Sequence, residues 1–182
     1  MDSMISERDL QIIQRQLGRE PRGTLRIERR CHWGYPQVIK VYPLLLNGAG
    51  GACPFPTLFW LTCPTLREQL SALEQRGYIK EIERLLAEDE QLQQEYHQNH
   101  RDYIAERWKA LSAEDRALLE KRGLAPALME RGIGGIADRN RVKCLHLHYA
   151  HHLAWGNAIG RWVENHFPLK ECPPERVLCE RF

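Results

Sequence analysis

One stretch decides how this chain is interpreted: Lys143-Cys144-Leu145-His146-Leu147-His148-Tyr149-Ala150-His151-His152. It places one cysteine and four of the chain's eight histidines within nine residues. Cysteine and histidine bind borderline-soft metals, and histidine is also the commonest acid or base at neutral pH. We expect the stretch to form the last long helix, capped by Asp138 or Asn140 and running to about Trp155. The alternative is a buried leucine stripe with the histidines at a surface or interface.

The rest of the sequence predicts an α+β fold that is mostly helical. Alternating apolar and charged residues favour a strand over 24–30, and further strands are expected over 37–42 and 57–62. Their short links predict a small three-stranded antiparallel sheet near the N-terminus. Between the last two strands, residues 43–56 contain Gly48-Ala49-Gly50-Gly51 and predict a hairpin loop.

Caps and helix breakers mark the expected helix boundaries. Ser6 is a typical cap for a first helix that ends at Gly18, and Pro64 is typical of a first helical turn. Residues 78–111 follow a mostly helical pattern that is broken near Asp89. These signals place most of the helical mass after the predicted sheet.

Size and composition limit the class of protein. The 182 residues, 43% hydrophobic and 27% charged, predict a single domain over 1–182 with an irregular tail from about residue 168. A net charge of +2 argues against nucleic acid and anionic membranes as partners. No apolar stretch approaches the roughly 20 residues that span a bilayer. Because residues 1–16 are polar and charged rather than signal-peptide-like, we expect a cytoplasmic protein.

The cysteines are expected to be reduced thiols or metal ligands, because disulfides are rare in the cytoplasm. The chain has six of them: Cys31, Cys53, Cys63, Cys144, Cys172 and Cys179. No pair has the Cys-x-x-Cys spacing of zinc ribbons and ferredoxins. Any metal site must therefore be assembled from distant segments.

The leading hypothesis is a metal site with Cys31, Cys63 and Cys144 as core ligands. Cys31 and Cys63 end predicted strands and can face the same helix, and His148 or His151 is the fourth ligand. Cys144 and His148 have the i,i+4 spacing of residues that share an ion, whereas His151 is about 10 Å from Cys144 along a regular helix. Such a set suits zinc or an iron–sulfur cluster. The alternative is that each cysteine is a buried structural residue.

Several further residues are candidates for the metal site under particular conditions. Cys63 precedes a predicted helix, so the positive end of the helix dipole is expected to lower its thiol pKa. Cys53, Cys172 or Cys179 can supply a missing ligand, with Cys179 favoured because the tail can fold back; otherwise they are surface thiols. His146 becomes available if the segment before Leu147 is not helical.

Two other functions remain open. The chain can be an enzyme acting on a phosphorylated or acidic small molecule, with Arg19, Arg22 and Lys143 binding the anion and His146 or His151 transferring a proton. It can also be a non-catalytic interaction module whose polar helices over 78–111 contact an unknown protein partner. No established catalytic motif is present to decide between them, and the basic residues can equally form a solvated face.

Four blocks of the sequence carry a resemblance to a known family. They are Gln16-Leu17-Gly18-Arg19-Glu20-Pro21-Arg22-Gly23, Arg30-Cys31, Pro54-Phe55-Pro56-Thr57-Leu58-Phe59-Trp60-Leu61-Thr62-Cys63-Pro64 and Arg141-Val142-Lys143-Cys144-Leu145-His146. Together they resemble the signature blocks of the DUF501 family of bacterial proteins, from about Asp9 to about Gly160. The resemblance implies no activity. It implies functional positions at Arg19, Cys31, Cys63, Cys144, His146 and His151.

Overall fold

A computed structural model describes residues 5–46 and 51–182. Helices make up 56% of the described residues, and an antiparallel sheet of three strands lies in the N-terminal part, so the predicted α+β class is confirmed. The described helices are α1 Glu7–Leu17, α2 Pro64–Gln75, α3 Tyr78–Glu88, α4 Glu90–Lys109, α5 Ala113–Lys121, α6 Pro126–Met129, α7 Leu145–Trp155 and α8 Ala158–His166. The described strands are β1 Thr24–Arg30, β2 Pro36–Val41, β3 Leu44–Leu46, β4 Ala52–Pro54 and β5 Phe59–Leu61.

The three-stranded sheet has the order β1-β2-β5, so β2 is its centre. Every residue of β2 is buried, because helices cover both faces of the sheet. Ile39 faces α1 and packs with Ile13, whereas Val38 belongs to the core that contains α7. The alternation of neighbouring side chains between opposite faces produces these two layers.

The predicted hairpin loop contains a second, two-stranded sheet. β3 pairs with β4 in antiparallel register, with Leu45 opposite Cys53. The connecting residues 47–50, which include most of the predicted glycine-rich turn, lie outside the described residues.

Most predicted helix boundaries are confirmed by local contacts. The Ser6 side chain accepts a hydrogen bond from the Asp9 amide, and α1 ends at Gly18 with a left-handed φ of 69°. Pro64 begins α2, and the Asp89 carboxylate accepts from the Leu92 amide where α4 begins. None of the described helices combines the length and apolar composition needed to cross a bilayer.

The start of the last long helix differs from the prediction. Asp138 and Asn140 do not cap it, because α7 begins at Leu145 and the extended residue Cys144 (φ −163°) precedes it. The amide of Asn140 instead donates to the Asp138 carboxylate in a local turn. The Leu145 amide donates to a carboxylate from α2 at 2.6 Å. A distant acidic side chain therefore occupies the place of a local cap and delays the helix.

Helix α7 lies at the centre of the main core. Its buried residues occur on nearly all sides of the helix: Leu145, Leu147, His148, Tyr149, Ala150 and His151. It packs against β5, α2 and α8. A helix that is apolar around most of its circumference is buried, and α7 follows this rule from Leu145 to His151 except at the partly buried His146.

Candidate functional site

A cleft of about 730 Å³ opens beside the first turn of α7. Its walls come from α2, β5, the segment after α1 and the residues around Cys144. Its polar lining residues are Arg19, Arg67, Glu68, Ser71, Lys143, Cys144 and His146. Since three of these are cations and one is a carboxylate, the cleft favours an anionic ligand.

Three groups with metal-binding atoms converge beside this cleft, and two of them, Cys144 and His146, line it. Glu74, Cys144 and His146 each offer one ligand atom, and these atoms lie within 4.8 Å of one another. Glu74 Oε1 lies 3.0 Å from Nδ1 of His146 and also accepts the Leu145 amide hydrogen bond. All three residues are partly buried. The described residues contain no other group of three or more histidine, cysteine or acidic ligands this close together.

His146 is held by both of its ring nitrogens. Nε2 lies 3.0 Å from the Arg67 carbonyl oxygen and 3.2 Å from the Ser71 hydroxyl. A carbonyl only accepts hydrogen bonds, so Nε2 carries a proton and the lone pair of a neutral ring would lie on Nδ1. Nδ1 therefore faces the Glu74 carboxylate either as a second N–H donor or as a ligand to a cation.

The charges around His146 reinforce one another. Hydrogen bonding to Cys144, then to Glu74, raises the pKa of His146 to about 10 in the metal-free protein. Burial opposes ionisation of Glu74, but the hydrogen bond and charge of His146 keep the pKa of that carboxyl below its usual value. The site thus pairs the anionic Glu74 carboxylate with a positive partner.

Sequence reasoning missed Glu74, although a signal for it exists. The buried residues of α2 are Leu66, Leu70 and Leu73. Glu74 is four residues after Leu70 and thus lies beside this apolar stripe, where a carboxylate requires a partner. The partner, His146, is 72 residues away in the sequence, and no local pattern indicates it.

The predicted anion-binding residues are partly brought together. Arg19 and Lys143 both line the cleft, and Arg22 lines an adjoining cavity of about 310 Å³. The Arg19 guanidinium lies 4.3 Å from the centre of the Trp60 ring, a cation–π contact that orients it. Lys143 Nζ donates to the Gly134 carbonyl at 2.7 Å. Arg67, which the sequence did not indicate, adds a third cation to the cleft.

A comparison with protein families identifies the chain. It matches a family model described as "Protein of unknown function (DUF501)" over residues 27–165 of its 182 residues. The chain belongs to the DUF501 family. No curated protein and no solved structure matches it. The family description assigns no activity, so a function for this DUF501 protein has to be argued from the site.

The other predicted histidine ligands of the DUF501 protein lie away from the cleft. His148 is fully buried, and its Nε2 lies 3.3 Å from the Tyr96 hydroxyl. His151 accepts a hydrogen bond at Nδ1 from the Asn157 amide at 3.1 Å. Burial lowers the pKa of each histidine to about 3, so both are neutral. The structure does not place either of them with Cys144 and Glu74, and His151, also a predicted proton donor, does not line the cleft.

Cys31 and Cys63 also lie outside the group formed by Glu74, Cys144 and His146. Cys31 begins the turn between β1 and β2, and Cys63 directly precedes α2. The expected lowering of the Cys63 pKa is wrong: burial raises that pKa to about 11, although nearby backbone N–H groups oppose the change. Desolvation of the thiolate outweighs the helix end at this position. Cys53 is exposed on β4.

Proposed function

We propose that the cleft of this DUF501 protein holds a zinc ion on Glu74, Cys144 and His146 and thereby binds a small anionic molecule. The observation that carries the proposal is the convergence of three different ligand atoms within 4.8 Å. Zinc bonds to sulfur, nitrogen and oxygen are about 2.0–2.3 Å long, so ligands of one ion lie only a few ångströms apart. Small side-chain shifts suffice to bring this group to that geometry.

The setting of His146 supports a metal ligand. Metal-bound histidines donate their second ring N–H to a carbonyl or carboxylate, which fixes the ring orientation. The Arg67 carbonyl, 3.0 Å from Nε2, has this position. With Nε2 held by this carbonyl, a metal ion would displace the proton of Nδ1 and bind the lone pair on the side of the ring where Glu74 lies.

The ligand set and its exposure favour a binding role over a purely structural one. Structural zinc sites have four protein ligands, whereas sites that act on small molecules have three and leave one position for water or substrate. This group has three protein ligands beside a 730 Å³ cleft, a volume that suits a small molecule. A bound zinc ion would supply Lewis-acid polarisation of an oxygen ligand.

The cations of the cleft define the class of molecule. Arg19, Arg67 and Lys143 line the same space as Cys144 and His146. Guanidinium groups bind carboxylate and phosphate oxygens in bidentate geometry, and an ammonium adds a point charge. A phosphorylated or acidic small molecule is therefore the expected ligand.

Zinc titration of the tag-free full chain tests the metal site. Wild type should bind about one zinc ion in the cleft, and His146→Gln and Glu74→Gln should each weaken binding by more than roughly 100-fold. His152→Gln is the matched control, because His152 lies on the same helix and pairs with Glu164 at the surface. Equal zinc affinity in the wild type and His146→Gln would overturn the proposal.

A thermal-shift assay on the zinc-loaded protein tests the anion site. Inorganic phosphate should raise the melting temperature of wild type, and Arg19→Ala should remove that gain because it deletes a cleft cation. Arg84→Ala serves as control, since Arg84 pairs with Glu88 on α3. A phosphate response that survives in Arg19→Ala and Lys143→Ala would exclude the cleft as the anion site.

A further inference from the structure

Four of the six cysteines lie on segments that a network of hydrogen bonds connects outside the cleft. They come from the turn after β1, the start of α2 and the segment that follows α8, and they are Cys31, Cys63, Cys172 and Cys179. None of them is in a disulfide. The cleft group contains only Cys144, so this thiol cluster is unexplained by the proposed function.

Cys172 is fixed against the two segments that carry Cys31 and Cys63. Its Sγ lies 2.9 Å from the hydroxyl of Thr65, two residues after Cys63 in the first turn of α2. Its carbonyl accepts a hydrogen bond from the Trp33 indole N–H at 2.9 Å. Trp33 is in the turn that Cys31 begins, where the Gly34 amide donates to the Cys31 carbonyl.

Cys179 reaches the same region from the other side. The Gln16 amide nitrogen donates to Cys179 Sγ at 3.2 Å and to the Pro36 carbonyl at 2.8 Å. The hydroxyl of Thr62, the neighbour of Cys63, donates to the same Pro36 carbonyl at 3.2 Å. One carbonyl and one glutamine side chain thus connect Cys179 to the segment that ends in Cys63.

The thiols are close enough to influence one another. After burial, which has the largest effect, charges on Cys172 and Cys179 raise the pKa of Cys63. Burial likewise raises the pKa of Cys179, and charges on Cys31 and Cys172 add to this effect. Cys63 and Cys179 are only 6% and 8% exposed. Burial thus keeps Cys63 and Cys179 as neutral thiols unless a bound cation offsets the cost of charging them.

The segment after α8 is held in place by polar contacts on both sides of Cys172. The Glu171 carboxylate accepts from the His32 amide at 2.9 Å and from the Gln37 side chain at 2.8 Å. The Gln69 side chain makes two hydrogen bonds with the Lys170 backbone, at 2.7 and 3.0 Å. These contacts fix the backbone that presents Cys172 to the other thiols.

We infer that Cys31, Cys63, Cys172 and Cys179 ligate a [4Fe–4S] cluster. Among the described residues, no three of these sulfurs lie within 4.8 Å of one another, as ligands of a single ion do. A [4Fe–4S] cluster binds each of its four thiolates at a different iron and therefore spaces them farther apart.

The test is iron and sulfide analysis of the tag-free full chain purified without oxygen. We expect about four irons and four acid-labile sulfides per chain, with a broad visible absorption band that bleaches on reduction. Cys63→Ser and Cys172→Ser should each lose most of the iron and the band. Cys172 is only partly buried, so its variant remains informative if Cys63→Ser fails to fold. The matched control is the exposed Cys53→Ser, which should keep the full content.

Three results would overturn the inference. They are absence of iron and sulfide even after anaerobic reconstitution with ferrous iron and sulfide, zinc bound in their place, or an unchanged iron content in Cys172→Ser. The cleft zinc site and the [4Fe–4S] cluster are tested by different variants, so one proposal can be wrong while the other holds. His146→Gln should lose cleft zinc and keep the iron, whereas Cys172→Ser should lose the iron and keep the cleft zinc.

Discussion

Helix α7 places histidines in opposite environments in its first turn and in its interior. His146 is partly exposed at the cleft, and its contacts with Cys144 and Glu74 raise its pKa to about 10. His151, five residues later, is 3% exposed, and burial lowers its pKa to about 3. One residue type thus serves as a charged site residue in one turn and as a neutral core residue in the next.

The neighbours of each ring explain the difference. The His151 ring is stacked on Phe59 with 5.5 Å between ring centroids, and Tyr103 meets it edge-on at 4.9 Å. A neutral imidazole in such a place packs as an aromatic ring. His146 instead has the Glu74 carboxylate, the Cys144 sulfur and a carbonyl oxygen around it. Position relative to the cleft, rather than residue type or spacing, separates the two roles.

The largest expected effect comes from removing the interior ring. His151→Ala should lower the free energy of unfolding by about 3 kcal/mol, because it leaves a cavity between aromatic rings and an unpaired Asn157 amide. Urea denaturation measures this loss, and zinc titration of the folded variant should match wild type. His146→Gln should instead lose zinc affinity and keep most of its free energy of unfolding. If His151→Ala lost zinc affinity and kept its stability, the assignment of the two roles would be wrong.

A change of pH should have an intermediate effect on the stability of the folded protein. Burial lowers the pKa of His100 to about 4, so this ring stays neutral in the folded protein while the unfolded chain takes up a proton below about pH 6.5. Stability should therefore fall as the pH drops from 7 towards 4. His100 should contribute a loss of about 1 kcal/mol at pH 5.5, with similar contributions from His148 and His151. Urea denaturation at a series of pH values measures the slope.

His100→Asn provides the matched control for this slope. The Ile133 amide donates to His100 Nδ1 at 3.0 Å, and an asparagine oxygen can accept the same hydrogen bond without titrating. The variant should lose stability less steeply than wild type between pH 7 and 5.5. If the stability of the two proteins fell equally steeply with falling pH, His100 would not be a neutral core residue.

The smallest effect is expected at a third histidine of α7. His152 Nε2 lies 3.0 Å from a Glu164 oxygen, and the Glu164 side chain is 52% exposed. Exposed pairs contribute little because water and salt screen them. Glu164→Gln should change the free energy of unfolding by less than about 0.5 kcal/mol. If the free energy of unfolding changed by more than about 1 kcal/mol, this pair would contribute to stability as the buried histidines do.

Local signals in the sequence were sufficient for most of the fold. The Ser6 cap, Pro64 at the start of α2 and the Asp89 cap all act within four residues, so they can be recognised without tertiary information. The start of α7 could not be predicted in this way. Its delay depends on Glu74, which binds the Leu145 amide across 71 residues of sequence.

The candidate site was predictable only in part, for the same reason. Cys144, Arg19 and Lys143 have side chains whose chemistry is recognisable alone, and the structure places all three at the cleft. Glu74 and Arg67 resemble ordinary helix surface residues in the sequence. Their roles depend on the packing of α2 against α7, which no spacing rule encodes.

The contact between Thr65 and Cys172 has a consequence for synthesis of the chain. The two residues are 107 positions apart. At about 5–20 residues per second, a ribosome adds Cys172 roughly 5 to 20 s after Thr65. Until then the segments that carry Cys31 and Cys63 lack the contacts that Cys172 later makes with Trp33 and Thr65. The last segment of the chain must therefore be synthesised before this part of the fold can close.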